Sequence, residues 1–191
     1  MRDAWLYRFL RPIIKFLILF IRPKYIGLEN IPKEGAIILA GNHTSILDPL
    51  ILISATKRSI HFLAKEELWH GLKKIIFNNM GLIPVNRKIK DHNALVMAED
   101  YLKDGSVIGI FPEGTTEKGR GLLPFKIGSV KMAQDTNTKI VPFIINGKYR
   151  LLGRIRITFL EPISITGNLE EENNRLRNLI KNNITGSDKN E

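Results

Sequence analysis

The sequence contains no cysteine among its 191 residues. That absence excludes a thiolate nucleophile, disulfide bonds and cysteine-based metal sites. The sequence also has no stretch approaching the ~20 apolar residues that a membrane-spanning helix needs. Its early apolar run lacks the small-residue cleavage site of a secretory signal. We therefore expect a chain that does not cross a bilayer and is not processed by signal cleavage. The histidines show no metal-ligand spacing either, and we expect no metal or bound cofactor.

Aromatic residues are also scarce, at 8% of the chain, whereas basic residues are abundant. Lys and Arg number 29 against 19 Asp and Glu, which gives a net charge of +10. Such a charge favours an anionic partner, either a phospholipid surface, a phosphorylated substrate or nucleic acid. The low aromatic content and the lack of a recognition-module motif disfavour nucleic acid. The length, with 43% apolar residues, suits one domain with one core.

An apolar helix with a narrow basic stripe is predicted between Trp5 and Arg22. At ~100° per residue its cations fall within about 60° of one another. These cations are Arg8, Arg11, Lys15 and Arg22. The pattern is typical of a helix that lies in the membrane interface, with its cations against anionic headgroups. The alternative is a helix packed on the domain with its basic stripe in water. We accordingly divide the chain into a membrane-associating segment, residues 1–24, and a domain, residues 25–191.

Short apolar strands alternate with amphipathic helices in the rest of the chain. Strands are predicted at residues 25–28, 36–40, 61–64, 82–85, 107–111, 140–145 and 155–160. Helices are predicted at residues 65–79, 91–102, 128–135 and 170–184. This alternation predicts an α/β fold: a single domain with a mostly parallel or mixed central sheet flanked by helices.

The stretch NHTSILDP, residues 42–49, lies between a predicted strand and a further helix. On one continuous helix His43 and Asp48 would point about 140° apart and could not meet. Pro49 changes this expectation, because the residue before proline avoids the helical conformation and proline suits the first helical turn. Asp48 is then the N-cap of a helix of about eight residues, and a loop can fold His43 back toward it.

A histidine oriented by a carboxylate can act as a general base, because the carboxylate fixes its tautomer and stabilises the imidazolium. The alternative is that Asp48 only caps its helix while His43 is an ordinary surface residue of the loop.

Three more motifs follow in the chain: GLIPVNR at residues 81–87, FPEGT at 111–115 and IVP at 140–142. Together with the His43 motif, and in this order, they resemble the glycerophospholipid acyltransferase family over residues 25–162. One position departs from the family pattern, because Thr116 stands where the family usually has Arg.

The resemblance implies that His43 and Asp48 form a catalytic pair. It also implies that residues of the later motifs bind the acyl acceptor. These are Arg87, Glu113, Gly114 and Thr115. Lys126 is a further candidate for binding phosphate, with a plain surface lysine as the alternative. If the strands are mostly parallel, the loops that carry these residues converge on one edge of the sheet.

The implied reaction transfers a fatty acyl group from acyl-CoA or acyl carrier protein to the free hydroxyl of 1-acyl-glycerol-3-phosphate, giving phosphatidic acid. No G-x-S-x-G motif is present, so a covalent acyl-serine intermediate is not expected. We expect a peripheral or monotopic protein on the cytoplasmic face of the cell membrane. The alternatives are another lysophospholipid or glycerol acceptor and, in a different class, a non-enzymatic basic protein that binds membrane surfaces.

Overall fold

The structure of the protein, a computed structural model, describes residues 5–86, 88–89, 91–116, 121–149, 153 and 155–186. The strands are β1 (Lys24–Ile26), β2 (Ile37–Gly41), β3 (Ile60–Lys65), β4 (Ile83–Val85), β5 (Val107–Ile110), β6 (Ile140–Asn146) and β7 (Arg156–Phe159). The α-helices are α1 (Trp5–Leu19), α2 (Asp48–Ala55), α3 (Gly71–Asn79), α4 (His92–Lys103), α5 (Gly128–Asp135) and α6 (Leu169–Gly186). Two short 3-10 helices lie at Leu28–Asn30 and Glu66–Leu68.

All seven strands form one sheet in the order β1-β7-β6-β2-β5-β3-β4. The five strands from β6 to β4 run parallel to one another, whereas β7 pairs antiparallel with β6 and β1 pairs parallel with β7. The prediction of a single α/β domain with a mixed sheet flanked by helices is therefore confirmed.

The sheet carries a hydrophobic core on each face, because successive side chains of a strand point to opposite sides. In β2, Ile37 and Leu39 pack in the core shared with α1 and α2. Ile38 and Ala40 pack in the core shared with α4, α5 and α6. Since β2 is buried along its whole length, the loop that follows it starts from a rigid support.

Helix α1 packs on the domain through one face and exposes another. Tyr7 and Ile18 are buried in the core that includes α2. The Arg11 side chain donates to the carbonyl oxygen of Thr56 from Nε at 2.9 Å and from Nη2 at 2.6 Å. One of the four predicted stripe cations therefore binds the domain. None of the helices in the described part of the chain is both long and apolar enough to cross a bilayer.

Several predicted elements are shorter than expected, and a glycine takes part in two of these differences. The helix predicted at residues 65–79 begins only at Gly71, because Lys65 belongs to β3 and His70 is extended, and Gly71 then turns the chain with a φ of +54°. The first strand ends at Ile26, because Gly27 turns the chain with a φ of +73°. A Cβ on Gly27 would lie 2.1 Å from the carbonyl oxygen of Phe159, so only glycine fits there.

Candidate active site

The loop after β2 and the loop after β5 leave the sheet at the same edge. These strands are parallel neighbours, with Ala40 paired to Ile110. The residues that follow, among them His43 and Glu113, therefore emerge side by side, as expected for parallel strands. Arg87, which follows β4, lies outside the described residues, and so its phosphate contact stays a prediction.

His43 and Asp48 are in direct contact, as their motif predicts. His43 Nδ1 lies 2.8 Å from Asp48 Oδ2. The His43 side chain is 13% exposed and that of Asp48 is 0% exposed. A carboxylate only accepts hydrogen bonds, so Nδ1 carries the proton and the lone pair lies on Nε2. The imidazole is thus held in the tautomer that can accept a proton at Nε2.

The Asp48 carboxylate turns back into the loop, and the prediction that it is the N-cap of α2 is wrong. Leu47 occupies the cap position, and Asp48 is the first residue of the helix. Besides His43, the carboxylate accepts from the backbone N–H groups of Thr44 at 2.6 Å and Ser45 at 2.9 Å. It also accepts from Thr44 Oγ1 at 3.1 Å. These bonds compensate the cost of burying a charge and fix the loop around it.

A residue that the sequence analysis missed completes the surroundings of this carboxylate. The Tyr149 hydroxyl donates to Asp48 Oδ1. Burial, followed by the charge of Asp48, raises the pKa of Tyr149 well above its usual value, so the phenol keeps its proton and remains a donor. Tyr149 follows β6 and lies 101 positions from Asp48, so no local spacing could have indicated the contact.

The imidazole ring of His43 is also held by Phe111, which follows the neighbouring strand β5. Its ring stacks on that of Phe111, with centroids 4.0 Å apart and planes inclined by 14°. Phe111 contacts Phe143 edge-on at 5.8 Å, which ties it to the core. The stacking and the bond to Asp48 together restrict the direction in which Nε2 points.

Glu113 joins two loops through both of its carboxylate oxygens. Oε1 accepts from the backbone N–H of His43 at 2.8 Å, and Oε2 accepts from that of Leu123 at 3.0 Å. This geometry supports a positioning role for Glu113, while its predicted contact with substrate stays a prediction. Asn42 fixes the same loop on its other side, since its side chain both donates to and accepts from the backbone of Ile145.

The Lys126 side chain lies across the turn formed by the FPEGT motif. Gly114 has a φ of +70°, and a Cβ placed on it would lie 3.2 Å from Lys126 Cε. The backbone N–H of Lys126 donates to the carbonyl oxygen of Pro112 at 2.9 Å. Thr115 is half-buried beside Gly114, and Thr116 is exposed. The structure thus brings a lysine to the motif that lacks the usual arginine.

The other three histidines belong to other elements. His61, in β3, is buried, donates from Nδ1 to the carbonyl oxygen of Gly81 at 2.8 Å and stacks on Tyr101. His70 and His92 are exposed. Within the part of the chain that the structure describes, no group of three or more His, Asp or Glu side chains could hold a metal ion.

Comparison with known proteins gives sequence relatives for most of this fold. A family model described as Acyltransferase matches residues 22–146. The 1-acyl-sn-glycerol-3-phosphate acyltransferase of Borreliella burgdorferi is 44% identical over 123 residues, 61% of this chain and 48% of that protein. The protein of the same name from Bacillus subtilis is 31% identical over 151 residues, 74% of this chain and 72% of that protein.

A probable 1-acyl-sn-glycerol-3-phosphate acyltransferase of Mycoplasma pneumoniae is 34% identical and matched over 47% of its length. The chain thus spans about half the length of two of the curated relatives it matches.

The fold is also similar to a solved structure. The crystal structure of the 1-acyl-sn-glycerophosphate (LPA) acyltransferase PlsC from Thermotoga maritima superimposes with a TM-score of 0.80. The match covers 97% of this chain and 82% of that chain at 24% sequence identity. At this identity the likeness concerns the arrangement of strands and helices.

Proposed function

The chain belongs to the acyltransferase family, and from that premise we propose that it transfers a fatty acyl group from a thioester to the free hydroxyl of 1-acyl-glycerol-3-phosphate. The product is phosphatidic acid, the precursor of membrane phospholipids. The names of its curated relatives support this acceptor. The contact between His43 and the buried carboxylate of Asp48 carries the proposal, because it supplies a base of fixed tautomer at the exposed edge of the sheet.

In the proposed mechanism His43 Nε2 removes the proton of the acceptor hydroxyl. The hydroxyl oxygen attacks the carbonyl carbon of the thioester, and a tetrahedral oxyanion forms. The oxyanion then collapses, the carbon–sulfur bond breaks, and the imidazolium returns its proton to the leaving thiolate. One ester and one thiol result, and His43 ends in its starting form. Asp48 stabilises the imidazolium between the two proton transfers.

The acceptor phosphate needs cations, and the chain lacks the arginine that the family usually places after the FPEGT motif. We assign this task first to Arg87, and then to Lys126 and Arg120. Lys126 already lies across the FPEGT turn, whereas Arg87 and Arg120 are outside the described residues. Hydrogen bonds from a charged donor contribute roughly 1.5–3 kcal/mol each, so a phosphate acceptor requires such a replacement.

We further propose that the protein acts on the membrane surface through α1. The face of α1 opposite Tyr7 exposes large apolar side chains, including Phe9 at 65%, Phe16 at 62% and Ile13 at 48%. Burial of such residues in the lipid interface, with cations beside anionic headgroups, is the usual mode of surface attachment. With acyl-CoA or acyl carrier protein as the thioester, the site works at the cytoplasmic face.

The base role is tested by measuring acyl transfer to 1-acyl-glycerol-3-phosphate with purified protein. His43→Ala is expected to lower kcat by about 10²–10⁴, and Asp48→Asn is expected to lower it strongly as well. The matched control is His92→Ala, which removes an exposed histidine at the start of α4 and should leave kcat unchanged. A folded His43→Ala protein with near-normal kcat would falsify the mechanism.

The acceptor is tested with a panel of lysophospholipids and glycerol phosphates at a fixed acyl donor. On the proposed assignment 1-acyl-glycerol-3-phosphate is the preferred acceptor, Arg87→Ala raises its KM at least about tenfold, and Arg120→Ala has a smaller effect. Thr116→Arg should be tolerated. If the wild type ignores this acceptor but acylates another lysophospholipid, the acceptor assignment fails and the acyltransferase chemistry stands.

A further inference from the structure

Helix α3 is the least covered helix of the described structure. None of its nine residues is buried. Leu72 is 78% exposed, Ile75 60% and Ile76 41%. A helix this short is marginal in water on its own, and most helices in proteins are stabilised by packing an apolar face. We therefore expect the apolar side chains of α3 to contact apolar surroundings outside the described fold.

These three side chains lie on one face of α3, and Asn79 shares that face. At ~100° per residue, positions 72, 75, 76 and 79 fall within about 100°. Asn79 Oδ1 accepts a hydrogen bond of 3.0 Å from Nε1 of Trp5, the first residue of α1. Trp5 itself is 54% exposed. The bond therefore joins the C-terminal end of the α3 stripe to the N-terminal end of the α1 stripe.

The two stripes form a continuous exposed surface, which we call the α1–α3 face. Its members on α1 and the turn after it are Trp5, Phe9, Ile13, Phe16, Leu17 and Phe20, and those on α3 are Leu72, Ile75 and Ile76. On a wheel of ~100° per residue the α1 members span about 120° and lie opposite buried Tyr7. The domain therefore covers one side of α1 and leaves the α1–α3 face outward.

The charges around the α1–α3 face favour an anionic partner. Helices α1 and α3 contain five Lys and Arg and no Asp or Glu. Each of α2, α4, α5 and α6 contains at least one acidic residue. Two helices that carry cations, contain no carboxylates and expose an apolar face match the headgroups and acyl chains of an anionic bilayer surface.

Of the two tryptophans of the chain, Trp5 lies on this face, whereas Trp69 packs against the other side of α3. Trp5 lies at the junction of the two helices, and Trp69 precedes α3 by two residues. Trp69 donates from Nε1 to Asn78 Oδ1 at 2.9 Å, and its ring contacts that of Phe77 edge-on at 5.2 Å. Tryptophan is enriched where a protein meets the membrane–water interface. At ~100° per residue Phe77 and Asn78 lie more than 100° from the centre of the α3 stripe, so Trp5 is the tryptophan placed at the proposed interface.

We propose that α3 is a second membrane-contacting helix, so that the α1–α3 face binds anionic phospholipid surfaces as one unit. Helix α3 follows the carboxyl end of β3, and β3 runs parallel to β5. It therefore begins at the edge of the sheet that carries His43. With α3 on the surface, lipid substrates reach that edge along the plane of the bilayer.

The test uses the full chain with Trp5→Phe, Trp69→Phe and Ile75→Trp, which places the single tryptophan at an exposed position of the α3 stripe. The protein is mixed with vesicles of phosphatidylglycerol and phosphatidylcholine whose acyl chains carry bromine. If α3 contacts lipid, the tryptophan emission shifts to shorter wavelength and the bromine quenches it. If α1 alone binds, the protein sediments with the vesicles while the tryptophan emission remains unquenched, and the proposal is overturned.

A second arm measures vesicle binding of the double variant Leu72→Ser with Ile75→Ser. Both side chains are more than half exposed, so the fold loses little, and the vesicle dissociation constant should rise at least about tenfold. The matched control is Val96→Ser on α4, 40% exposed and on the opposite side of the sheet. Val96→Ser should bind as the wild type does, and wild-type binding by the double variant contradicts the proposal.

A second copy of the chain is the competing occupant of the face. Sedimentation without lipid distinguishes it, because a wild-type dimer that the double variant makes monomeric would assign the face to a protein interface. The inference extends the proposed attachment of α1. No substrate is present in these experiments, so their failure is separate from a failure of acyl transfer.

Discussion

At the scale of single residues, the Asp48 carboxylate determines the shape of the loop that presents His43. It is fully buried and accepts from side chains and backbone of its own loop and from Tyr149. A buried charge that loses a partner costs more than the net contribution of that hydrogen bond. The surroundings of Asp48 are therefore as important for the proposed chemistry as the carboxylate itself.

Replacement of Tyr149 by Phe tests this dependence. The variant keeps the ring and removes the hydroxyl that donates to Asp48 Oδ1. The carboxylate then concentrates more negative charge toward His43 and holds the imidazolium more tightly. We expect kcat to fall about tenfold, with KM little changed, and the acidic limb of the pH profile of kcat/KM to move to higher pH.

The matched control for this experiment is Tyr25→Phe. Tyr25 is another half-buried phenol, and it donates to the carbonyl oxygen of Ile51 at 3.1 Å and contacts Ser54. Burial raises the pKa of Tyr25 to about 12. Loss of the Tyr25 hydroxyl should lower the free energy of unfolding and leave the acidic limb of the pH profile of kcat/KM where it is in the wild type. If the two variants have the same pH profile, Tyr149 acts only through stability.

Buried His61 predicts a pH dependence of stability. Burial lowers the pKa of His61 below its usual value of about 6.5. Below that pH the unfolded chain takes up a proton that the folded protein resists, so the free energy of unfolding falls as the pH falls. Urea unfolding between pH 7 and pH 5 should show a shallower loss of stability for His61→Gln than for the wild type.

The control is His92→Gln, which changes an exposed histidine and should retain the wild-type pH dependence. If the free energy of unfolding falls with pH equally in the wild type and in His61→Gln, other groups control the stability at acidic pH.

At the scale of elements, the sequence predicted those helix ends that depend on residues nearby in the chain. The helix at residues 128–135 matches α5 at both ends, because apolar spacing and helix length are visible in a short window. The interruption at His70 and Gly71 was missed, because an apolar pattern does not disclose the backbone angles of the residues inside it. Pro49 correctly indicated that a loop could fold His43 back to Asp48, but the helix begins one residue earlier than expected, with Asp48 as its first residue instead of its N-cap.

The exposed face of α1 is tested by substitution rather than by removal of the helix. Deleting α1 would uncover the core that Tyr7 and Ile18 complete, and lost binding would then be ambiguous. Phe9→Ser with Phe16→Ser alters only side chains that are more than 60% exposed. We expect their binding to anionic vesicles to weaken at least about tenfold, measured by co-sedimentation.

Thermal unfolding of this double variant should match that of the wild type. If it binds vesicles as tightly as the wild type, the anchor lies elsewhere in the chain.

Arg58 connects loops at the edge of the sheet opposite His43. Its guanidinium donates to the carbonyl oxygens of Pro32, Gly35 and Gly105, the last two of which precede β2 and β5. Arg58→Met should reduce the free energy of unfolding by roughly 2–3 kcal/mol, because charged hydrogen bonds to these carbonyls are lost. The kcat measured at low temperature should remain unchanged, since the active edge is not involved.

The neighbouring exposed residue provides the control, and Lys57→Met should unfold as the wild type does. A fall in kcat for Arg58→Met at a temperature where it is folded would show that the two edges are coupled.

At the scale of the whole molecule, the alternation of strands and helices predicted the α/β class. The order of the strands depends on contacts between residues that are far apart in the sequence. The reversal of β7 and β1 relative to the other strands is one such feature. The contact between Tyr149 and Asp48 is another, since the fold alone brings these residues together. Motif order predicted that the loops of His43 and Glu113 meet, because parallel strands end at the same edge.

Because β1 pairs with β7, the sheet cannot be completed until β7 has been synthesised. Lys24 pairs with Arg156, 132 residues later. At a synthesis rate of ~5–20 residues per second, roughly 7–26 s separate the synthesis of β1 from that of β7. Over most of that interval Asp48 also lacks Tyr149. If α1 binds lipid as proposed, a chain still on the ribosome can attach to the membrane before the residues around His43 are assembled, and attachment then precedes the ability to react.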